Sequence, residues 1–288
     1  MTQPVDIGRF ELKYAVPVTL RDRILALAEG YVKPDKHALH LASGLRGYEV
    51  HSLYLDSPDL QDYRQRLAER KIRDRLRVRS YGPREAGPFP VFLENKRKLD
   101  NWVIKARVAL PASSEQYLAT TEPEPWRLWA SQITGAGAYA ARHFVRLTGG
   151  GRRVPVSVVH YTREVFVGLN PDRPKVRLTL DHNVTASTRN LSYSNLYGAH
   201  DVELIPPDWM VLEMKFGGSK PGWMRRICRE LGLRAVPVSK FGLSVGLGAA
   251  GSRYREVRYL TPRPIRRAGY LPPPPARRPR RPADEVTL

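Results

Sequence analysis

The chain has 288 residues, and its 48 Lys and Arg against 28 Asp and Glu leave a net charge of +20, which points to phosphate-rich partners such as nucleotides, polyphosphate, nucleic acid or an anionic membrane surface. Its one cysteine, Cys228, excludes an internal disulfide and any cysteine-based zinc cluster. With no N-terminal signal pattern and no run near the roughly 20 apolar residues of a membrane span, a soluble cytoplasmic protein is expected.

In chain order, Arg9 to Val16 (RFELKYAV) alternates as a strand does, with Arg9, Glu11 and Lys13 on one face and Phe10, Leu12, Tyr14 and Val16 on the other. Pro17 ends it, and Thr19 is the expected N-cap of an amphipathic helix carrying Leu20, Ile24, Leu27 and Ala28. A strand over Gly47 to Asp56 runs into an Asp56-Ser57-Pro58-Asp59 turn and a short helix near Leu60 to Leu67. Arg73 to Tyr81 (RDRLRVRSY) then sets Arg73, Arg75, Arg77 and Arg79 on every second residue, a ladder of guanidiniums along one strand face. Past turns at Gly82-Pro83 and Gly87-Pro88, two more charged strands follow. One places Glu94, Lys96 and Lys98 together, the other Lys105 and Arg107.

From Ser113 the period becomes helical, with a capping-box pattern at Ser113 to Gln116 and helices over Trp126 to Ile133 and Ala138 to Leu147. Thr148 to Gly151 reads as a connector, because it lacks the Lys-Ser/Thr of a phosphate-cradling loop. Strands resume at Val154 to Phe166, with Tyr161 and Arg163 on one side, and at Lys175 to Asp181, with Lys175, Arg177, Thr179 and Asp181 together. The next, Val211 to Phe216, joins Glu213 to Lys215. A helix over Pro221 to Leu231 stops at Gly232, and the last ordered element spans Val236 to Leu247, containing Ser239-Lys240-Phe241. Residues 1–252 form the folded domain. Residues 253–288, with ten arginines and three acids, are a Pro/Arg-rich tail too poor in apolar periodicity to fold.

Along the charged strand faces 14 cations stand against four acids, Glu11, Glu94, Asp181 and Glu213, while the opposite faces are apolar. If the sheet curls shut with helices outside, the charged faces line a water-filled tunnel for a multiply charged anion. An open sheet with a solvated basic face satisfies the same periodicity. His51, His160 and His182 show no metal-ligand spacing and read as structural or surface histidines, and Cys228 as a small core residue of the Trp223-Ile227-Leu231 helix.

The ordered set RFELKYAV, SLYLD, RLRVRSYG, FLENKRK, VIKARVAL, YTREVF, VRLTLD, VLEMKF and VSKF resembles the VTC domain, the polyphosphate polymerase branch of the triphosphate tunnel metalloenzymes, over Arg9 to Leu247. The resemblance implies an α+β fold, an eight-stranded antiparallel β-barrel tunnel with helices packed outside. It also implies transfer of the ATP γ-phosphate to a growing polyphosphate chain with Mn2+ or Mg2+. By the same likeness Lys13, Arg77, Arg79, Lys96, Lys105, Arg163, Arg177 and Lys240 are phosphate ligands and Glu213 the metal ligand, with Glu11, Glu94 and Asp181 as metal support or counter-charges. Arg73 and Arg75 extend the usual arginine pair toward a tunnel mouth, and Arg9, Lys98, Arg107 and Lys215 add to the substrate-binding wall. Expected partners are ATP or another nucleoside triphosphate, polyphosphate, and pyrophosphate or phosphate. Nucleic acid is disfavoured because few aromatics share the ladder faces for base stacking. Neither a phosphate-sensing domain nor membrane helices accompany the motifs, so coupling to translocation would need a separate membrane partner, with this chain peripheral to the membrane. A metal-dependent triphosphatase of the same fold and a non-catalytic polyphosphate-binding module are the competing functions.

Overall fold

The computed structural model describes residues 9–82, 91–100, 102–110, 123–148, 152–170, 176–187, 189–192, 195–198 and 202–248. The capping-box helix at Ser113, the Pro83 and Gly87 turns, Lys175 and the tail from residue 253 lie outside the described residues.

Strand β1 (Arg9–Pro17) buries Tyr14 and Val16 on one face and carries Glu11 and Lys13 on the other. Pro17, at φ −58° and ψ 143°, starts a 3₁₀ turn over Val18–Leu20. Thr19 therefore lies inside that turn, and Leu20 precedes α1 (Arg21–Ala28) in place of the expected threonine cap. Two short strands, β2 (Val32–Pro34) and β3 (Leu39–His40), are too brief for a period to reveal. Strand β4 (Arg46–Asp56) ends on a buried carboxylate that nucleates α2 (Gln61–Leu67). Asp56 Oδ1 accepts the N–H groups of Ser57 at 2.7 Å and Asp62 at 2.8 Å, and Oδ2 accepts that of Tyr63 at 2.9 Å. The Asp62 and Tyr63 amides at the head of α2 are thus satisfied by Asp56, and that of Gln61 by Ser57 Oγ at 2.8 Å.

The arginine ladder is divided into β5 (Ile72–Arg73) and β6 (Leu76–Tyr81), where one strand was expected. Asp74 falls on the apolar face, and its carboxylate is met by Asn95 Nδ2 at 2.9 Å. The register against β7 (Val91–Leu99) survives the interruption, with Arg73 opposite Lys98 and Leu76 opposite Asn95. Next come β8 (Trp102–Leu110), α3 (Pro123–Gln132), α4 (Ala138–Thr148), β9 (Val154–Gly168), β10 (Arg177–Ser187), β11 (Val202–Glu203) and β12 (Trp209–Gly217). Helix α5 (Gly222–Glu230) stops at Gly232, whose φ of 61° suits a residue without Cβ, and α6 (Lys240–Gly248) is last.

Eight strands pair antiparallel in the order β1-β12-β10-β9-β4-β6-β7-β8, and no backbone ladder joins β8 to β1 among the described residues. A flat sheet would set β1 and β7 roughly 29 Å apart at a strand spacing of about 4.8 Å, yet Lys96 Nζ of β7 lies 3.6 Å from Glu11 Oε2 of β1. The sheet is therefore curled into a tunnel with its charged faces inward. The outer edge of β1 is covered by the segment before α6, through a Val236 N–H bond to the Lys13 carbonyl at 2.8 Å.

On the convex side α1 and α5 pack Ile24, Leu27, Met224 and Ile227 against Leu178, Leu180, Leu212 and Met214. Helices α3 and α4 pack Trp129 and Phe144 over Leu53, Leu76, Val78 and Leu93. Each such fully buried side chain contributes about 1.5–3 kcal/mol. A third cluster is inside the curl. Phe241, Leu243 and Val245 of α6 meet Val50, Tyr54, Val159, Tyr161 and Val211, and Ser244 Oγ bonds Ser157 Oγ at 2.8 Å. Part of the lumen expected to hold water is thus packed solid, because the inward positions at Val50, Val159 and Val211 are apolar.

Arg153 joins the start of β9 to α2 by a two-pronged bond to Asp62, Nε to Oδ2 at 2.9 Å and Nη2 to Oδ1 at 3.0 Å. Burial pushes the Asp62 carboxyl up to about 6 despite this partner. Arg153→Ala is expected to destabilise the fold by about 3–5 kcal/mol by stranding a buried carboxylate. The deficit should shrink from pH 8 to pH 5 as Asp62 takes up a proton, and denaturant titrations at the two pH values measure it.

Candidate functional site

Arg163, Arg77, Arg79 and Arg177 project into the tunnel, each held differently. Arg163, on β9, grips Asp181 of β10 with Nε to Oδ1 at 2.5 Å and Nη2 to Oδ2 at 2.7 Å, and its Nη2 also lies 3.3 Å from Glu213 Oε2. It is positioned by a close strand crossing: a Cβ on Gly47 would come within 2.1 Å of the Arg163 carbonyl oxygen, so only glycine fits there. Arg77 is tied to Glu94, Nε to Oε2 at 2.6 Å. Arg79 is buried and bonded by neutral hydroxyls, Ser52 Oγ at 2.9 Å and Tyr161 Oη at 3.3 Å, with no carboxylate in ion-pair contact among the described residues. Arg177 donates from Nη2 to Tyr48 Oη at 3.0 Å, and its buried Nε has no partner among the described residues. Arg79 therefore keeps its charge available for an anion, whereas Arg177 Nη2 lies 4.0 Å from Asp35 Oδ2, a looser counter-charge.

The lysines gather around one pair of carboxylates. Glu11 and Glu213 stand on paired strands within hydrogen-bonding reach of each other. Lys13 Nζ lies 3.2 Å from Glu11 Oε1 and Lys215 Nζ 3.0 Å from Glu213 Oε1. Burial and mutual repulsion work against ionisation of Glu11. Lys13 and Lys215 outweigh them, and its carboxyl sits below the usual range. Burial opposes the charge of Glu213 too, but Lys215, Lys13 and Arg163 hold it well below that range. Two adjacent ionised carboxylates are a donor set that fits a hard divalent cation. The other two acids are occupied as counter-charges: Asp181 by Arg163 and Lys240, Glu94 by Arg77 and by Arg107 at 3.3 Å. Burial opposes ionisation in both, yet these cations hold each at about 2.

Lys240, at the head of α6, contacts Asp181 and lies 4.5 Å from the Tyr161 ring centre. Lys96 is brought down to about 8 by burial and by Lys13, Arg75 and Lys215, against the pull of Glu11. Arg75 stacks over Phe241 at 5.3 Å, inside the tunnel and not at its mouth, whereas Arg73 bonds the Arg70 carbonyl and faces Lys98 across β5 and β7. Lys105 is exposed on β8 opposite Lys96. Arg107 lies 3.5 Å above the Phe92 ring, and Arg9 is placed only by its backbone, opposite Gly217.

The sequence reading set Tyr161 beside Arg163 but gave the inward aromatic residues no role. Tyr48, Tyr54, Tyr81, Phe92 and Tyr161 share the charged faces, and their rings and hydroxyls position the guanidiniums. Burial raises the Tyr54 phenol, but Arg77, Arg79 and Arg75 outweigh it and bring it down to about 8. Alternation registers the charged positions and passes over a tyrosine, whose polar tip only three-dimensional contact reveals.

The VTC domain profile matches residues 8–247 of this chain. Two solved structures are similar in fold. A candidate adenylate cyclase from Bacillus halodurans shares 15% identity over 81% of this chain and 96% of its own, with a TM-score of 0.39. A candidate adenylyl cyclase from Hippeastrum, described as having a dominant triphosphatase activity, shares 17% identity over 82% of this chain and 94% of its own, with a TM-score of 0.42. No curated protein gives a significant match. Among the described residues no helix is long and apolar enough to cross a membrane.

Proposed function

Because the chain belongs to the VTC domain family, we propose that its tunnel binds ATP by the phosphates and transfers the γ-phosphate to a growing inorganic polyphosphate chain. The supporting observation is the inward face itself, where Lys13, Lys96, Lys215 and Arg163 contact one pair of adjacent carboxylates and Arg79, Arg177 and Lys240 add further cations. In the transfer a terminal oxyanion of the polymer forms a bond to the γ-phosphorus, the bond from that phosphorus to the bridging oxygen breaks, and ADP leaves. The attacking oxygen is already ionised, so no general base is required, and the protein's task is to align two anions and offset their repulsion. Guanidinium forks fix phosphate oxygens in pairs, and lysines follow the moving charge. Glu213 and Glu11 would hold a divalent cation, Mn2+ or Mg2+, which when bound neutralises charge on the phosphoryl oxygens. Pyrophosphate or phosphate would serve as the shortest acceptor.

Incubation of the purified protein with ATP and Mn2+ tests the reading. Ladders of polyphosphate on a gel support it, free phosphate alone supports hydrolysis in the same tunnel, and tight polyphosphate binding without turnover supports a binding module. A pH series tests Lys96 separately. Triphosphate affinity of the metal-free protein is expected to fall as pH rises through about 8, where Lys96 loses its proton and Tyr54 becomes anionic, and Lys96→Arg should reduce the fall to the share that Tyr54 contributes. Affinity already flat from pH 7 to 9 in the unaltered protein would remove Lys96 from the site.

A further inference from the structure

The geometry points to a second, transition-metal site on the outside of the tunnel, formed by Glu49, His51 and His160 and suited to Zn2+. No local spacing announces it, since 109 residues separate the two histidines. The register of β4 against β9 sets His51 directly opposite His160, with ring centres 4.6 Å apart. Glu49, two residues before His51, points to the same face. Its Oε2 lies 3.4 Å from His51 Nε2 and 3.5 Å from His160 Nε2, and the three donor atoms fall within 4.8 Å of one another. Zinc bonds of about 2.0–2.2 Å in tetrahedral geometry put neighbouring donors about 3.3–3.6 Å apart, which is the spacing of the carboxylate oxygen from each imidazole nitrogen. Two imidazoles and one carboxylate favour Zn2+ over the hard cations suited to the tunnel carboxylates.

The surroundings also fit. These side chains stand on the convex face, whereas Ser52 and Tyr161, their chain neighbours, face inward to Arg79. Tyr197 backs the site with its ring centre 4.6 Å from that of His51. The His51 side chain is 4% exposed, that of His160 18% and that of Glu49 30%, so the floor is dry and the carboxylate forms an entrance. Burial holds His160 down to about 4, so its ring is neutral and ready to donate a lone pair at neutral pH. His51 Nε2 also lies 3.1 Å from the Gly82 carbonyl at the end of β6. The tautomer protonated at Nε2 donates there, and loading the ion at Nε2 breaks this bond and moves the ring proton to Nδ1, with no net loss of a proton from the neutral imidazole. An ion so held would fasten β4 to β9 directly behind Arg79.

The test is calorimetric titration of metal-stripped protein with ZnCl2, in two buffers of different ionisation enthalpy. One zinc per chain is expected, with little net proton exchange between the two buffers, and this event should persist in Glu213→Gln. Glu49→Gln and His160→Gln should each weaken it by at least about 10-fold, in the range of lost metal-site contacts. Because Glu49 is partly exposed, Glu49→Gln remains informative if the histidine variant does not fold. Co2+ as a spectroscopic substitute should give the visible absorption of a four-coordinate nitrogen–oxygen site. Zinc affinity unchanged in Glu49→Gln, or a Co2+ spectrum of the hexaaqua ion alone, overturns the proposal.

Discussion

Glu213→Gln is expected to lower ATP-dependent turnover on the order of 10²–10³-fold, the usual cost of removing one preorganised electrostatic contact, while triphosphate binding in the absence of metal holds or tightens. The two effects separate because Glu213 does two things at once. It offers a buried carboxylate beside Glu11, and it offsets the charges of Lys13, Lys215 and Arg163. Glutamine preserves the shape and removes the charge, so a divalent cation loses a ligand while the surrounding cations become more available to phosphate. Single-turnover kinetics with Mn2+, set beside calorimetric binding of inorganic triphosphate without metal, measures both. Unchanged turnover would exclude Glu213 from the reacting centre.

Arg79→Ala is expected to weaken triphosphate binding roughly 10- to 150-fold, corresponding to the 1.5–3 kcal/mol typical of a hydrogen bond to a charged group. Arg79 is the informative choice among the inward arginines because its bonds go to the hydroxyls of Ser52 and Tyr161. Its removal strands no partner carboxylate, whereas Arg77→Ala would release Glu94 to repel the ligand. Arg79→Lys should fall between, keeping charge without the fork. Calorimetry at fixed ionic strength reads the affinities, and a melting curve shows that the variant folds. Binding equal to that of the unaltered protein would place the anion elsewhere.

The strands were legible in the sequence because charge alternates with apolar residues along each of them, and that alternation survives folding: Glu11 and Lys13 face inward while Tyr14 and Val16 face the helices. What escaped depends on pairings far apart in the chain. The division of the four acids is one case, since only the paired strands show that Asp181 and Glu94 are taken up by arginines while Glu11 and Glu213 meet. His51 and His160 are another, being unremarkable until β4 lies beside β9. Helix α6 is a third. Residues 240–248 carry too little periodic contrast to show which faces they would fill, and their destination inside the curl follows from Val50, Val159 and Val211.

Helix α6 stoppers the lumen at the end where β9 begins and β4 finishes. A pore closed by this packing would be a blind pit, with no straight path through it. Under the proposed activity, a polymer lengthened at the bottom must back out by the mouth that admits nucleotide, so each addition and each exchange of ADP for ATP compete for one opening. Such traffic favours release between additions. Products would then lengthen gradually across the whole population, and a few very long chains would not dominate at early times.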